Sequence, residues 1–416
     1  MRSLTLSEEK RSLRAALVLP AGLALLHMPS GLPAPLYPLY QSTMGIDSTT
    51  VSLLFAAYVA GVMIGLMLMP LIAGYRSVLV WTCGLSIVAD VLFLVAHTEW
   101  ELYGGHLLQG IVLGVFTGVV PVVLAQFELS GSSKLVGRAT TSANAIGLAA
   151  GPAWSGLLLE IAPWQGRLVW VIQIIVTLAV MPFMRTGGGG GEKARRKGEE
   201  AQPVRLRAVL AGMFGDLASR GAILAGFGAF VAGGLMSALG TLVIHRVVGV
   251  QNSLVEGTVV SMCFVLSAVF GALRIRRSDV SVTGQGLAWL FLGSLALGVT
   301  SVFTHLSVIV LATVLLGIGQ GLGLQGATQI IAVHQPEATR GAAVSFFFIL
   351  CYFGTTAASL GIGAVIPHTG LGPAFSYFSV ANAALCLAGL MLCVLAGRRM
   401  RAAAVRGERT EAAPTS

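Results

Sequence analysis

Three titratable side chains lie within long apolar stretches of the sequence, where a charge is costly: His27, Asp90 and His106. An ionisable group at membrane depth costs roughly 2.5–3.5 kcal/mol on insertion scales, so each such group is a candidate functional residue. Proton-coupled chemistry needs a group that alternates between a charged and a neutral form, and histidine does so near neutral pH. We therefore expect these three residues to be candidates for proton coupling. The alternative is that each makes only a structural hydrogen bond to a neighbouring helix.

Four glutamines form a second candidate set. Gln109 follows His106 in one apolar run, and a later run contains Gln320, Gln325 and Gln329. Gln325 and Gln329 are four residues apart and therefore share a helix face. Amide groups in an apolar cavity orient a bound small molecule through hydrogen bonds, whereas the alternative is hydrogen bonding between helices. With so little fixed charge, an apolar or weakly basic amphipathic substrate is favoured over a phosphate or sulfate ester.

Membrane-spanning helices must position these residues. Of the 416 residues, 55% are hydrophobic and 10% are charged, and the mean hydropathy is +0.84. Soluble domains are about 25% charged. Apolar runs of about 20 residues, the length that crosses a bilayer, recur about twelve times along the chain. The sequence predicts an all-α polytopic membrane protein with twelve transmembrane helices.

The net charge of +9 does not indicate nucleic-acid binding, because the basic residues follow membrane topology. An even number of spans places both termini on one side, and that side holds all of the 26 Lys and Arg residues except Arg167 and Arg246. Since cytoplasmic loops carry an excess of Lys and Arg, we predict cytoplasmic termini, in a bacterial inner membrane. Near the opposite ends of the spans lie Glu101, Glu160 and Glu256, where water is expected to reach them.

A glycine-rich and densely charged segment, RTGGGGGEKARRKGEEAQP, divides the predicted spans into six and six. It has nothing apolar to bury and therefore predicts a flexible cytoplasmic linker. We expect a six-helix bundle over 1–185, the linker over 186–206, a second six-helix bundle over 207–397 and a basic cytoplasmic tail over 398–416.

The two halves are related by their glycine spacing. A shift of about 206–207 residues superposes five glycines of the first half on five of the second, namely Gly65, Gly110, Gly114, Gly147 and Gly156 on Gly271, Gly317, Gly321, Gly354 and Gly363. Two parallel six-span repeats joined by a linker are typical of transporters.

The fifth predicted span contains residues that weaken a helix: Gly147, Gly151, Pro152 and Gly156 in GLAAGPAWSG. In a helix, Gly is about 1 and Pro about 3 kcal/mol less favourable than Ala. Small residues let helix backbones approach closely in lipid, and proline bends a helix. The pattern predicts a smooth, bent helix that packs closely and permits a rocking movement. Ordinary helix packing is the alternative.

These features resemble the major facilitator superfamily, in its drug:proton antiporter branch. GLAAGPAWSG is similar to the GxxxGPxxGG signature of that branch, with Ser155 in place of one glycine. The loop MPLIAGYRSVL keeps Gly74 and Arg76 of the family's GxLaDRxGRR motif but has leucine at the acidic position. HLLQG keeps Gln109 of the family's RxLQG motif, and His106 replaces the arginine.

The resemblance implies a secondary transporter that exports a small amphipathic compound, a drug or metabolite, in exchange for protons. The expected partners are this substrate, protons and the lipid bilayer; we expect a monomer and predict no nucleic acid, cofactor or metal. One alternative is proton-coupled uptake of a sugar or organic acid, and another is a non-transporting receptor or a membrane-embedded enzyme. The seven scattered histidines show no metal-site or nucleophile spacing, so we expect no enzyme activity.

Overall fold

The computed structural model describes residues 18–72, 77–126, 133–187, 206–273, 275 and 277–411, and every regular element in these ranges is helical. The helices of the first half are α1 (18–27), α2 (Tyr37–Met44), α3 (Ser48–Ile72), α4 (Val78–Leu94), α5 (Glu99–Gln126), α6 (Ser133–Ile161) and α7 (Leu168–Val180). Those of the second half are α8 (Leu206–Phe214), α9 (Leu217–Leu235), α10 (Ser253–Ala272), α11 (Asp279–Gly298), α12 (Leu306–Val333), α13 (Glu337–Thr369) and α14 (Leu371–Glu411).

Eight of the described helices are long and apolar enough to cross a membrane. They are α3, α5 and α9 to α14. Two shorter apolar helices, α4 and the extension of α7 to Met184, occupy the positions of the predicted third and sixth spans. The predicted first span corresponds to α1 and α2, and the fifth to α6. The prediction of an all-α polytopic protein is confirmed.

Prolines divide the first predicted span into short helical pieces. Proline lacks a backbone N–H and disfavours helical geometry in the preceding residue. After α1, the chain forms two 3-10 turns, Met28–Ser30 and Ala34–Leu36, which contain Pro29 and Pro35. α2 then begins with Pro38 in its first turn, where the missing N–H costs no helical bond. This path buries Tyr37 and Tyr40.

α9 does not end at Leu235 but continues as two π-helical turns, Met236–Gly240 and Ile244–Val248, on either side of Thr241–Val243. π-helical turns inside helices are rare and are frequent at functional sites. The extension ends at Gly249, whose φ of 83° is the left-handed conformation that glycine adopts without strain.

Glycines at corresponding positions of the two halves, 206 or 207 residues apart, make the same kind of contact between helices. A Cβ at Gly65 would lie 3.0 Å from the Cα of Gly114, and a Cβ at Gly321 would lie 2.7 Å from the nitrogen of Gly271. These distances are too short for a real side chain, so the backbones of α3 and α5 touch, as do those of α10 and α12. The second and fourth spans therefore pack as the eighth and tenth do.

The fifth and eleventh spans show the same correspondence. Gly147 of α6 lies against the backbone of Ala24 in α1. At its counterpart in α13, a Cβ added to Gly354 would lie 2.8 Å from the ring of Phe227 in α9. Each helix thus contacts the first span of its own half. The pseudo-repeat expected from glycine spacing is present in the packing.

Contacts group the chain into two compact units. The first consists of the described residues within Met1–Gln202, Leu235–Val265 and Ser359–Ala374, and the second of those within Pro203–Gly234, Leu266–Ala358 and Phe375–Ser416. The first unit therefore contains the end of α9, most of α10 and the end of α13 together with the first six spans. Most of the predicted linker lies outside the described residues, and the boundaries 1–185, 186–206, 207–397 and 398–416 stay a prediction.

Candidate functional site

α6 packs its glycines against the turn that follows α1. A Cβ at Gly151 would lie 2.5 Å from the carbonyl oxygen of Met28 and 3.1 Å from the Cα of Gly31. In return, a Cβ at Gly31 would lie 2.6 Å from Cδ of Pro152. The backbone of the turn lies directly on the backbone of α6 at Gly151, and Gly31 of the turn contacts the ring of Pro152.

On its other side, α6 packs against α10. A Cβ at Gly156 would overlap the carbonyl oxygen of Ser253, and a Cβ at Gly257 would overlap the carbonyl oxygen of Pro152. We call the contact formed by these four residues the α6–α10 seam. All four predicted pattern residues of the fifth span, Gly147, Gly151, Pro152 and Gly156, thus lie at a helix contact.

The pseudo-repeat contains a corresponding contact between α13 and α3. A Cβ at Gly363, the counterpart of Gly156, would lie 3.5 Å from Cβ of Ser52. The hydroxyl of Ser52 donates to the carbonyl of Ser359 at 2.6 Å. The spacing here is ordinary van der Waals contact, so the α6–α10 seam is the tighter of the two.

The backbone of α6 next to Pro152 is bonded to a hydroxyl of α10. Pro152 has no N–H to donate to the carbonyl of Leu148, the usual partner four residues earlier. The next N–H, that of Ala153, donates to Oγ of Ser261 at 2.9 Å. α6 and α10 are therefore joined at Pro152 by a polar contact as well as by a close approach of their backbones.

A carboxyl–amide pair is buried between α4 and α5. Asp90 is 0% exposed and Gln109 is 2% exposed, and Nε2 of Gln109 donates to Oδ1 of Asp90 at 3.1 Å. The other oxygens, Oδ2 of Asp90 and Oε1 of Gln109, have no hydrogen-bond partner within the described ranges. An ionised carboxylate only accepts hydrogen bonds, whereas a protonated one also donates. A proton on Asp90 would therefore supply the donor that this pair lacks.

His106 lies one helical turn before Gln109 and is buried among aromatic rings. Its Nε2 lies 3.1 Å from the hydroxyl of Tyr37, and the Phe93 ring meets it edge-on at 5.0 Å. Nδ1 has no hydrogen-bond partner in the part of the chain that the structure describes. His106 therefore pairs with Tyr37 and not with Asp90.

His27 lies at a different place, the contact of α1 with α6. Its Nδ1 is 3.2 Å from Oδ1 of Asn144, and its Cβ lies 2.6 Å from where a Cβ at Gly147 would be. The side chain is half-buried. The three proton-coupling candidates thus occupy two locations. Asp90 of α4 and His106 of α5 lie near the contact of those two helices, whereas His27 lies at the contact of α1 with α6.

The glutamines of α12 bond to backbone carbonyls of other segments. Nε2 of Gln320, which is buried, donates to the carbonyl of Ala229 at 3.3 Å, and Nε2 of Gln325 donates to the carbonyl of Leu273 at 2.7 Å. Gln329 is exposed. Binding of a substrate by these residues stays a prediction.

Two predicted motif residues, Gly74 and Arg76, lie outside the described residues. Within the described ranges, no group of three or more His, Cys, Asp or Glu side chains is placed to hold a metal ion. The five cysteines are buried, and none of them forms a disulfide.

The aromatic residues near Asp90 and His106 were not found from the sequence. Trp170 of α7 is fully buried, stacks on Phe93 at 4.3 Å and donates from Nε1 to the hydroxyl of Tyr40 at 3.2 Å. Tyr37 and Tyr40 are three residues apart in α2 and so share a face. This three-residue spacing of tyrosines, directly after a run of prolines, is the feature of the sequence that could have indicated the aromatic contacts.

The family model of the Major Facilitator Superfamily matches residues 21–359. The chain belongs to this superfamily. It is therefore an integral membrane protein and a secondary transporter, as the sequence predicted. No curated protein sequence matches the chain.

Solved structures share the superfamily fold over nearly the whole chain. The POT family transporter PepTSo is 13% identical, with a TM-score of 0.68, covering 93% of this chain and 98% of that one. A bacterial homologue of the human lysosomal transporter Spinster, in an inward-facing and occupied conformation, is 14% identical, with a TM-score of 0.68 and coverage of 92% and 96%. The nucleoside transporter NupG is 13% identical, with a TM-score of 0.69 and coverage of 92% and 98%. At these identities the similarity shows the fold alone.

Proposed function

We propose that this superfamily member exports a small amphipathic compound, a drug or metabolite, in exchange for protons by alternating access. The observation that carries the proposal is the α6–α10 seam, in which the carbonyl of Pro152 lies on the Cα of Gly257. A contact between bare backbones has no interlocked side chains to disengage, so the helices can separate and close again. The resemblance of this stretch to the antiporter signature supports export over uptake.

Proton coupling in this proposal uses the buried pair of Asp90 and Gln109. The carboxyl group of Asp90 is buried away from water. The side-chain oxygen of Gln109 accepts no hydrogen bond from the described residues. Neutralising a buried carboxylate removes the penalty of an unpaired charge. Asp90 is therefore suited to hold a proton in one state of the cycle and to release it in another. His106 and His27 are the other candidates for this role.

The proposed class of substrate follows from the lack of charge on the buried glutamine side chains. The glutamine amides Gln109 and Gln320 offer hydrogen bonds without a net charge, and the helices around them are apolar. Such surroundings suit an apolar or weakly basic compound. We place both termini in the cytoplasm of a bacterium, with the chain in the inner membrane, and propose that it works as a monomer and not as an enzyme.

The test is accumulation of a panel of lipophilic dyes and antibiotics in an efflux-deficient bacterium that expresses the chain, with and without a protonophore. We expect lower accumulation than in cells expressing the Asp90→Asn variant, and the protonophore should abolish the difference. Equal accumulation of every compound, with both chains present in the membrane, would contradict export of this class. Increased uptake of sugars or organic acids in a second panel would support the opposite direction.

A further inference from the structure

An acid–base pair lies next to the α6–α10 seam, on helices other than those that carry Asp90 and Gln109. Nδ1 of His245 is 2.8 Å from Oε1 of Glu256. The Glu256 side chain is 1% exposed, whereas that of His245 is 27% exposed. Glu256 was expected from the sequence to be reached by water, and the structure shows that it is sealed.

The position of Glu256 links this pair to the seam. Glu256 directly precedes Gly257, and Ser253 lies one turn earlier on α10, so both seam residues of α10 flank it. The N–H of Ser253 also donates to the carboxylate of Glu160 at the end of α6, at 3.2 Å. His245 belongs to the π-helical turn Ile244–Val248. Movement of α6 against α10 must therefore change the surroundings of Glu256.

The charged groups acting on Glu256 are His245 from α9 and Glu160 from α6. Oε1 of Glu256 has the imidazole as partner, but Oε2 has none within the described chain. With one proton, the pair of His245 and Glu256 is electrically neutral. Without it, a negative charge is left in a sealed site near a second carboxylate, and burying an unpaired charge is strongly unfavourable. The closed seam therefore requires the protonated pair.

We propose that His245 and Glu256 form a proton-binding site that holds one proton whenever the α6–α10 seam is closed. The proton comes from the water on the outer side and resides in the hydrogen bond between the imidazole and the carboxyl group. When the pair loses this proton, Glu256 becomes a carboxylate that needs water, and the seam opens to provide it. This inference rests on the alternating access and orientation proposed above, and it applies to either direction of transport.

The experiment follows opening of the seam without any substrate. Ser261→Cys places a thiol one helical turn from Gly257, beside the seam, at a position that is 5% exposed, and its labelling by a membrane-impermeant maleimide reports access from outside. The protein is studied in right-side-out membrane vesicles, and the outer pH is varied from about 5.5 to about 8.5, the range over which histidine titrates. The labelling rate of Ser261→Cys is divided by the labelling rate of Gln165→Cys, a variant with its cysteine at an exposed position, to remove the pH dependence of the thiol reaction itself. The five native cysteines are buried, and the unsubstituted chain gives their background.

We expect the normalised labelling rate to rise about tenfold as the outer pH increases, because loss of one proton shifts the seam from closed to open. Glu256→Gln keeps a neutral partner for His245 and should leave labelling slow at every pH. Glu101→Gln, a change of another carboxylate expected near the same side, should leave the profile of the parent chain unchanged.

Three results would overturn the inference: a normalised rate that does not depend on outer pH, one that follows the pH inside the vesicle, or full pH dependence in Glu256→Gln. If Glu256→Gln does not fold, as judged by size-exclusion chromatography, His245→Gln replaces it. Glu256 still titrates in that variant, but it lacks its imidazole partner, so the profile should shift along the pH axis, and an unshifted profile would overturn the inference. A flat profile in the parent reporter leaves proton-driven export untouched, since the assay uses no substrate. Conversely, failure of the export assay leaves the pH dependence of the seam open to measurement.

Discussion

The carbonyl oxygen of Pro152 lies against the Cα of Gly257, at a distance that leaves no room for a side chain at residue 257. One residue after Pro152 in α6 and one helical turn after Gly257 in α10, the N–H of Ala153 donates to the hydroxyl oxygen of Ser261. α6 is thus held to α10 by two close backbone contacts, by this hydrogen bond and by the bond from the N–H of Ser253 to Glu160. Under the alternating access proposed above, these contacts open and close during the transport cycle.

Gly257→Ala is expected to push α10 away from α6. Inserting a methyl group into a packed site costs about 1–3 kcal/mol, and here the methyl would overlap a backbone carbonyl that has no rotamer to move. We expect at least a tenfold loss of transport rate, with a lower melting temperature of the purified protein. The matched control is Gly84→Ala in α4, where an added Cβ meets nothing within 4 Å. Equal behaviour of the two variants would contradict the tight contact.

Pro152→Ala is expected to impair turnover more than folding. Alanine restores an N–H for the carbonyl of Leu148 and favours a straight helix, since proline is about 3 kcal/mol less favourable than alanine inside a helix. The melting temperature should therefore be equal or higher, while the initial rate of transport falls severalfold. Pro367→Ala, which removes a proline inside α13 but outside the seam, is the control. Near-normal transport by Pro152→Ala would discard the role assigned to the bend.

Much of the α6 contact was predictable, because spacing alone indicates a smooth face and a bend. Gly147, Gly151 and Gly156 recur at intervals of four and five residues, and proline has one well-defined effect on a helix. The sequence does not tell which helices meet that face. That Gly151 meets the turn after α1 while Gly156 meets α10 depends on how the spans are arranged, which local periodicity does not encode.

The pairs of polar residues were less predictable, for the same reason. Asp90 and Gln109 were both candidates, but for different roles, and their hydrogen bond across 19 residues joins two helices. The pairing of His245 with Glu256 was not predictable from the sequence, because each residue lies near the end of a predicted span. Whether a residue near the end of a span is exposed to water or buried depends on the helices packed around it. The sequence indicates only how far along the span the residue lies.

Asp90→Asn should separate transport from proton coupling. Asparagine keeps an oxygen that accepts from Nε2 of Gln109, so the pair retains its hydrogen bond, but it takes up no proton at any working pH. In proteoliposomes, exchange of substrate across the membrane without a pH gradient is expected to continue. Accumulation driven by a pH gradient should fall to the level of empty liposomes. Persistence of gradient-driven accumulation would remove Asp90 from the coupling scheme.

His106→Ala should change the pH profile of transport, because it removes a titratable imidazole one turn from Gln109. Tyr37→Phe separates this role from packing, since it deletes only the hydroxyl that contacts Nε2 of His106. Loss of that buried hydrogen bond is expected to cost about 1–3 kcal/mol of folding stability, with the profile shifted less than in His106→Ala. An unchanged profile in His106→Ala would leave His106 with a structural role only.

Asp216, between α8 and α9, offers a pH test outside the membrane spans. Partial burial raises the pKa of its carboxyl, but the hydroxyl and N–H of Ser219 and the imidazole of His334 outweigh burial, so the pKa lies below its usual value. The hydroxyl donates at 2.7 Å, the N–H donates at 2.9 Å, and Nδ1 of His334 lies at 3.2 Å. These bonds join the start of α9 to the end of α12.

A carboxyl group whose pKa is lowered by folding stabilises the protein above its unfolded pKa, and the contribution disappears as the pH falls through the folded pKa. Asp216→Asn should therefore lower the melting temperature at neutral pH and have no effect once the pH is below the folded pKa of Asp216. Because the Asp216 side chain is 44% exposed, solvent screening limits the difference to less than about 1 kcal/mol. Ser219→Ala, which removes one donor and keeps the carboxyl group, should show a smaller difference with the same pH dependence. A constant difference between native and Asp216→Asn protein across this pH range would mean that packing, and not the charge, is what Asp216 contributes.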